Sequence, residues 1–231
     1  MFLVICCFGC GQNEKMAAVN NTQMQPTTTP SGPPPPPLDA RAKVVAFGDS
    51  FTAGYGIDDW RKSYPALLQD ELDRAGYQLQ VVNRGRSGDT SGQGLSRAWE
   101  SLTTGDIHIF ILALGANDSF KDVAPADTKR NLAEIIKQAR AKGAKVLLCG
   151  YEPRDAEKAK LLKPVYAELA KENDVPLLPS LLQGAQQDPK LLLSDGAHPN
   201  EDGLKVVEQN VWKALQPLLR DEKRATSTQQ K

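Results

Sequence analysis

The stretch 44-VVAFGDSFTAGYG-56 decides how the chain is read. A short apolar run, residues 43–47, stops abruptly at Gly48. An acid, Asp49, and a hydroxyl, Ser50, follow, and then further glycines. An apolar run of this length closed by glycine reads as a buried strand entering a turn. Whether Ser50 serves that turn or serves chemistry depends on what the rest of the chain brings to it.

Outward from this stretch, strand and helix signals alternate. Residues 63–75 place Tyr64, Leu67, Leu68 and Leu72 on one helical face, and Gly76 stops the helix as a C-cap glycine would. Residues 79–83 read as a second strand and 95–102 as helix. The apolar run "IHIFILAL", residues 107–114, has the length of a strand covered on both faces. Then come an amphipathic helix (127–142), a strand (145–149), a helix with a break or restart at Pro164 (158–172), a short strand (176–178) and a closing helix (203–219) that Pro217 bends or ends. Such alternation predicts an α/β fold: a mostly parallel sheet of about five strands with helices on both faces, ligands lying beyond the carboxyl ends of the strands.

Of the 231 residues, 28 are Lys or Arg and 28 are Asp or Glu, giving a formal net charge of +0. No basic stripe stands out, which argues against nucleic acid as a partner. Residues 41–220 are read as the domain. Residues 1–19 form a leader whose apolar "MFLVICCFG" is too short to span a bilayer and has the length of a signal h-region, although no Lys or Arg precedes it. Cys10 follows a small residue and precedes a polar tail, a pattern resembling a bacterial lipoprotein signal in which Cys10 becomes the lipid anchor. The alternatives are an unlipidated signal or a misplaced start. Residues 20–40, rich in Thr, Gln and Pro, are expected to be a disordered linker, and residues 221–231 a frayed tail. Cys149, which ends an apolar run, is expected in the core.

Three successive strand ends carry glycine beside a small polar residue: Gly48-Asp49-Ser50, "NRGRSGDTSGQG" from Asn83, and Gly115-Ala116-Asn117-Asp118. The chain has two histidines. His108 alternates with isoleucines and is expected to pack in the core or the sheet. His198 lies in the loop "DGAHPN", three residues after Asp195. A tight loop there can set the Asp195 carboxylate on Nδ1 and leave Nε2 free to take a proton from a hydroxyl. Alternatively, Asp195 caps a turn and His198 is an exposed loop residue. A serine is a poor nucleophile until a base removes its proton, and acyl transfer also needs donors for an oxyanion. Ser50, Gly88 and Asn117 can supply such donors. Asp49, Asp89 and Asp118 are expected to brace loops.

The segments "FGDSFTAGYG", "VVNRGRSGDTSGQGL", "ALGANDSF", "VPLLPSLL" and "DGAHPN" resemble the SGNH, or GDSL-type, hydrolases, in the branch of bacterial thioesterase I, arylesterase and lysophospholipase. The resemblance implies a flavodoxin-like α/β/α sandwich without metal or cofactor. It implies Ser50 as nucleophile, His198 as base, Asp195 orienting it, and an oxyanion hole from Ser50, Gly88 and Asn117. The chain departs from the family's usual pattern at Phe51, where Leu is common, and at Ala116, where a second Gly is common. "CGYEPRDAEKAKLLKPVY" is shorter and more charged than the usual loop bordering the acyl groove.

The expected activity is therefore serine-dependent hydrolysis of a small acyl ester, thioester or lysophospholipid, with the acyl chain against apolar loop residues such as Phe120 and Tyr151. Carbohydrate O-acetyl ester hydrolysis on the same triad is the alternative. A non-catalytic flavodoxin-like binding module, its 48–56 loop cradling a phosphate, would need neither Asp195 nor His198. The expected location is the bacterial cell envelope, anchored at Cys10 and facing the periplasm, or else soluble and exported. A monomer is the default.

Overall fold

The computed structural model describes residues 35–222. The leader with Cys10, most of the linker and the tail beyond residue 222 lie outside the described residues. Five strands, β1 (Ala42–Gly48), β2 (Leu79–Gly85), β3 (Ile107–Ala113), β4 (Lys145–Cys149) and β5 (Leu177–Leu178), form one parallel sheet in the order β2-β1-β3-β4-β5. Seven helices connect and flank them: α1 (Ser50–Ala53), α2 (Tyr64–Arg74), α3 (Ser91–Ser101), α4 (Ala116–Phe120), α5 (Pro125–Ala141), α6 (Ala156–Asn173) and α7 (Glu201–Leu215).

The chain steps from β1 outward to β2, then returns past β1 to β3 and continues in that direction. Right-handed crossovers therefore send the β1–β2 helix to one face and the later ones to the other. Accordingly α2 packs with α7, while α3, α5 and α6 pack in series. The sheet between these layers is dry: Val44, Val45, Ala46, Phe47, Ile109, Phe110, Ile111 and Leu112 are all 0% exposed. Cys149 is buried in this core as expected, and burial pushes its thiol pKa up.

Three sequence expectations are corrected. Helix α3 begins at Ser91, four residues before Leu95, because Thr90 and Gln93 form a capping box: Thr90 Oγ1 accepts from the Gln93 N–H and Gln93 Oε1 accepts from the Thr90 N–H. Such a cap stabilises a helix start by about 1 kcal/mol. Helix α6 runs through Pro164 without a break; the helix is buried along Leu162, Val165, Tyr166 and Leu169, and this packing offsets the hydrogen bond that Pro164 cannot donate. His108 is not a core residue. Its side chain is 40% exposed at the rim where β3 begins, with Nδ1 2.7 Å from Glu222 and Nε2 3.1 Å from Asp106. Its pKa is raised by the Glu222 hydrogen bond and by the nearby carboxylate charges, against some desolvation. The closing helix ends at Leu215 and passes into a 3-10 turn, Gln216–Leu219, which holds Pro217.

The turn after β1 is shaped by contacts that leave no room for side chains. A Cβ on Gly48 would lie 2.7 Å from the Ala113 carbonyl and 2.1 Å from Thr52 Oγ1. One on Gly85, at the end of β2, would lie 2.2 Å from the Ala53 nitrogen. Asp49 is 1% exposed, and its Oδ1 accepts from the Phe51 N–H at 3.1 Å, which starts α1. Burial pushes the Asp49 pKa up to about 7; backbone N–H groups pull it down and the charges of Asp118 and Asp89 push it further up.

An acid whose folded pKa exceeds its unfolded value of about 3.9 holds its proton more tightly when folded. Its contribution to stability therefore falls as pH rises from about 4 towards about 7. Asp49→Asn keeps an acceptor for Phe51 without the titrating charge. Its stability relative to the wild type should rise between about pH 5 and about pH 8, read from urea midpoints. A difference that stays flat across that interval would mean that Asp49 is already ionised in the folded protein at about pH 5, as it is in the unfolded chain.

Candidate active site

Ser50 is the first residue of α1, 7% exposed, at the carboxyl end of β1. Its Oγ lies 2.9 Å from His198 Nε2, a contact across 148 residues of sequence. His198 Nδ1 lies 2.6 Å from Asp195 Oδ2. A carboxylate only accepts, so Nδ1 carries the proton, and Nε2 presents its lone pair to the Ser50 hydroxyl.

The loop that carries His198 is held from within and from below. Asp195 Oδ1 accepts from the N–H groups of Ala197 at 2.9 Å and His198 at 3.0 Å. Partial burial raises the Asp195 pKa, but these two N–H groups and the imidazole outweigh it, so the carboxyl is held below its ordinary value. Leu192 and Pro199 form an antiparallel bridge, and the Leu193 N–H donates to the His198 carbonyl at 2.8 Å. Asn200 ties this loop to α7. Its Oδ1 accepts from the Asp202 and Gly203 N–H groups, capping the helix, while its Nδ2 donates to the Lys190 and Leu192 carbonyls. Asp195 thus caps the turn with Oδ1 and meets the imidazole with Oδ2.

Gly88 stands on the loop after β2 with φ +84, a conformation that favours glycine. Asn117 stands in the first turn of α4, after β3, and its Nδ2 donates to the Asp89 carbonyl at 3.0 Å, so the two loops are joined. Ala116 is buried beside it. Asp89 and Asp118 both brace loops. Asp118 accepts from the Ser91 N–H, the Ser91 hydroxyl and the Thr128 hydroxyl, tying α4 to α3 and α5. Asp89 pairs with Arg97.

Aromatic rings line the approach to the histidine. Tyr55 lies 4.5 Å and Phe51 5.3 Å from His198, ring centre to ring centre. Tyr151 stacks on Phe51 at 6.0 Å, and Phe120, 57% exposed, meets the edge of Tyr151 at 5.9 Å. Neither Tyr55 nor Arg97 was singled out from the sequence: Tyr55 sits among turn residues, and Arg97 lies on a helix where a charged residue reads as solvated. Cys10 lies outside the described residues. Among the described residues no group of three or more His, Cys, Asp or Glu side chains is placed to hold a metal ion. A partly open groove of about 600 Å³ beneath residues 35–38, walled by α2 and β2, includes none of Ser50, His198 and Asp195.

Residues 46–206 match the GDSL-like lipase/acylhydrolase family. The chain is 37% identical over 186 residues to an esterase, TesA, of Pseudomonas aeruginosa, covering 78% of this chain and 90% of that protein. It is 34% identical over 182 residues to thioesterase 1/protease 1/lysophospholipase L1 of Escherichia coli K12, covering 76% and 84%. A crystal structure of TesA superimposes with a TM-score of 0.74 at 35% identity, covering 77% of this chain and 99% of that one. A triad-like cluster at the carboxyl ends of a parallel sheet is thus joined by likeness along most of the chain: this protein belongs to the GDSL-like lipase/acylhydrolase family and is a carboxylic ester hydrolase.

Proposed function

We propose that hydrolysis runs through an acyl-enzyme on Ser50, with His198 as the base and Asp195 as its orienting acid. The observation that carries this is the 2.9 Å contact of Ser50 Oγ with His198 Nε2, continued by the 2.6 Å contact of Nδ1 with Asp195. In the first half-reaction Nε2 takes the Ser50 proton as Oγ attacks the carbonyl carbon. The carbonyl π pair moves to oxygen, and the oxyanion is met by the Ser50 and Gly88 N–H groups and the Asn117 amide. Collapse expels the alcohol or thiol, which receives the proton from His198. Water then attacks the acyl-enzyme under the same base, and Ser50 regains its proton as the acid departs.

The substrate class we favour is acyl thioesters, lysophospholipids and simple acyl esters. Two things support it: the names carried by the relatives, and the row Phe120, Tyr151 and Phe51, an apolar path from the surface to His198. The enzyme acts as a monomer at the cell envelope, tethered through a lipidated Cys10 and the linker. That location is supported by the sequence of the leader alone.

Hydrolysis of p-nitrophenyl esters from acetyl to palmitoyl tests the mechanism. The wild type should turn over, and Ser50→Ala should lose about a thousandfold or more in kcat while remaining folded. Equal activity of the two proteins would remove Ser50 from the chemistry. A strict preference for acetyl would favour carbohydrate O-acetyl esters over lipid and thioester substrates. For location, Cys10→Ser expressed from the full chain should release the activity from the membrane fraction of a bacterial host. Activity that is already soluble in the wild type would end the anchor proposal.

A further inference from the structure

The structure assigns Arg97 a positioning role: one guanidinium on α3 ties the end of β1 to β2 and its following loop, the segments that carry Ser50 and Gly88, and reaches Asn117 through Asp89. This rests on the serine mechanism proposed above. Arg97 is 13% exposed on its side chain, and the carboxylate it pairs with, Asp89, is 6% exposed. Its donors are spent on three acceptors in two segments, the end of β1 and β2 with the loop that follows it. Nε donates to Asp89 Oδ2 at 2.5 Å. Nη1 donates to the Arg84 carbonyl of β2 at 2.9 Å. Nη2 donates to the Gly48 carbonyl, the last of β1, also at 2.9 Å. The guanidinium carbon stands 4.2 Å from the centre of the Phe47 ring, so the plane of the fork is fixed by a packed aromatic face.

The Gly48 contact leads to Ser50, and the Asp89 contact leads to Gly88 and Asn117. Gly48 is two residues from Ser50, and its carbonyl also accepts from the Arg86 N–H at 3.0 Å. Asp89 follows Gly88, and its N–H closes the turn onto the Arg86 carbonyl at 3.2 Å. The Asp89 carbonyl accepts from Asn117 Nδ2, which directs that side chain. Thus the carboxylate of Asp89 is set by Arg97 and its carbonyl sets Asn117. A lysine cannot replace this arrangement: its point charge has no planar fork to span Asp89, Arg84 and Gly48 together. Arg97 donates to no substrate atom; it acts through the position of other groups.

The test uses Arg97→Lys and Arg97→Met in the full chain, after wild-type turnover and its loss in Ser50→Ala have been established. Active sites are counted by end-point labelling of Ser50 with an organophosphonate, so that a smaller folded fraction does not count as slower chemistry. We expect kcat per labelled site to fall about a hundredfold, the scale of a displacement near 1 Å, with KM within about threefold. The affinity of an alkylboronic acid, which forms a tetrahedral adduct on the serine, should fall in step with kcat/KM across the variants. A purely structural role would lower the labelled fraction and the melting temperature but leave kcat per site within about threefold; that result overturns the proposal. So does a loss confined to KM. If Arg97→Met fails to fold because Asp89 is left buried and unpaired, Arg97→Lys carries the same comparison. A wild type without ester turnover would instead overturn the serine mechanism itself, a result separate from any effect of Arg97.

Discussion

The constraint on which the site depends is the double pairing of β1. Its last residue, Gly48, is level with Gly85 of β2 on one side and with Ala113 of β3 on the other. Backbone hydrogen bonding sets that register, so the loops that leave the three strands start from one height. Ser50, Gly88 and Asn117 each lie within a few residues of those ends. The order β2-β1-β3 is also where the chain reverses its direction across the sheet, the place where open parallel sheets leave a crevice. Close contact at that level is possible because Gly48 and Gly85 offer only backbone to their neighbours.

The histidine that meets Ser50 arrives from elsewhere. His198 comes from the loop before α7, and α7 packs beside α2. Ser50 is therefore positioned by the central sheet and His198 by a peripheral helix and its cap. Phe51 and Tyr55, both within or just after α1, lie against the imidazole and close the gap between these two supports. The Phe51 departure from the usual family residue is accommodated there, buried between Tyr151 and His198.

Strand ends, glycines and the spacing of Asp195 to His198 were legible because each is local: a turn or a three-residue loop is written in adjacent residues. The apolar runs of β1 and β3 were legible because a strand covered on both faces cannot alternate. What failed was set at a distance. Pro164 looked like a break because its own residue type opposes a helix, but the burial of Leu162, Val165, Tyr166 and Leu169 decides in favour of one. His108 looked internal because its neighbours are apolar, but it sits at the rim where the chain returns with Glu222. Arg97 looked solvated because two of its three partners, the carbonyls of Arg84 and Gly48, belong to segments up to 49 residues away and are not side chains at all. A carbonyl acceptor leaves no trace in residue identity. The capping box at Thr90 and Gln93 was local and readable; apolar periodicity alone had placed the helix start later.

The Asn200 side chain has a consequence for how this enzyme loses function. One amide caps α7 with its oxygen and holds the histidine loop with its nitrogen. Fraying of the first turn of α7 and loosening of the His198 loop are then coupled through one side chain. On warming, the chain would pass through a state in which the sheet and Ser50 are intact while the loop that holds His198 has moved away. The contact between Ser50 and His198, which spans 148 residues of sequence, would then be lost before the sheet itself.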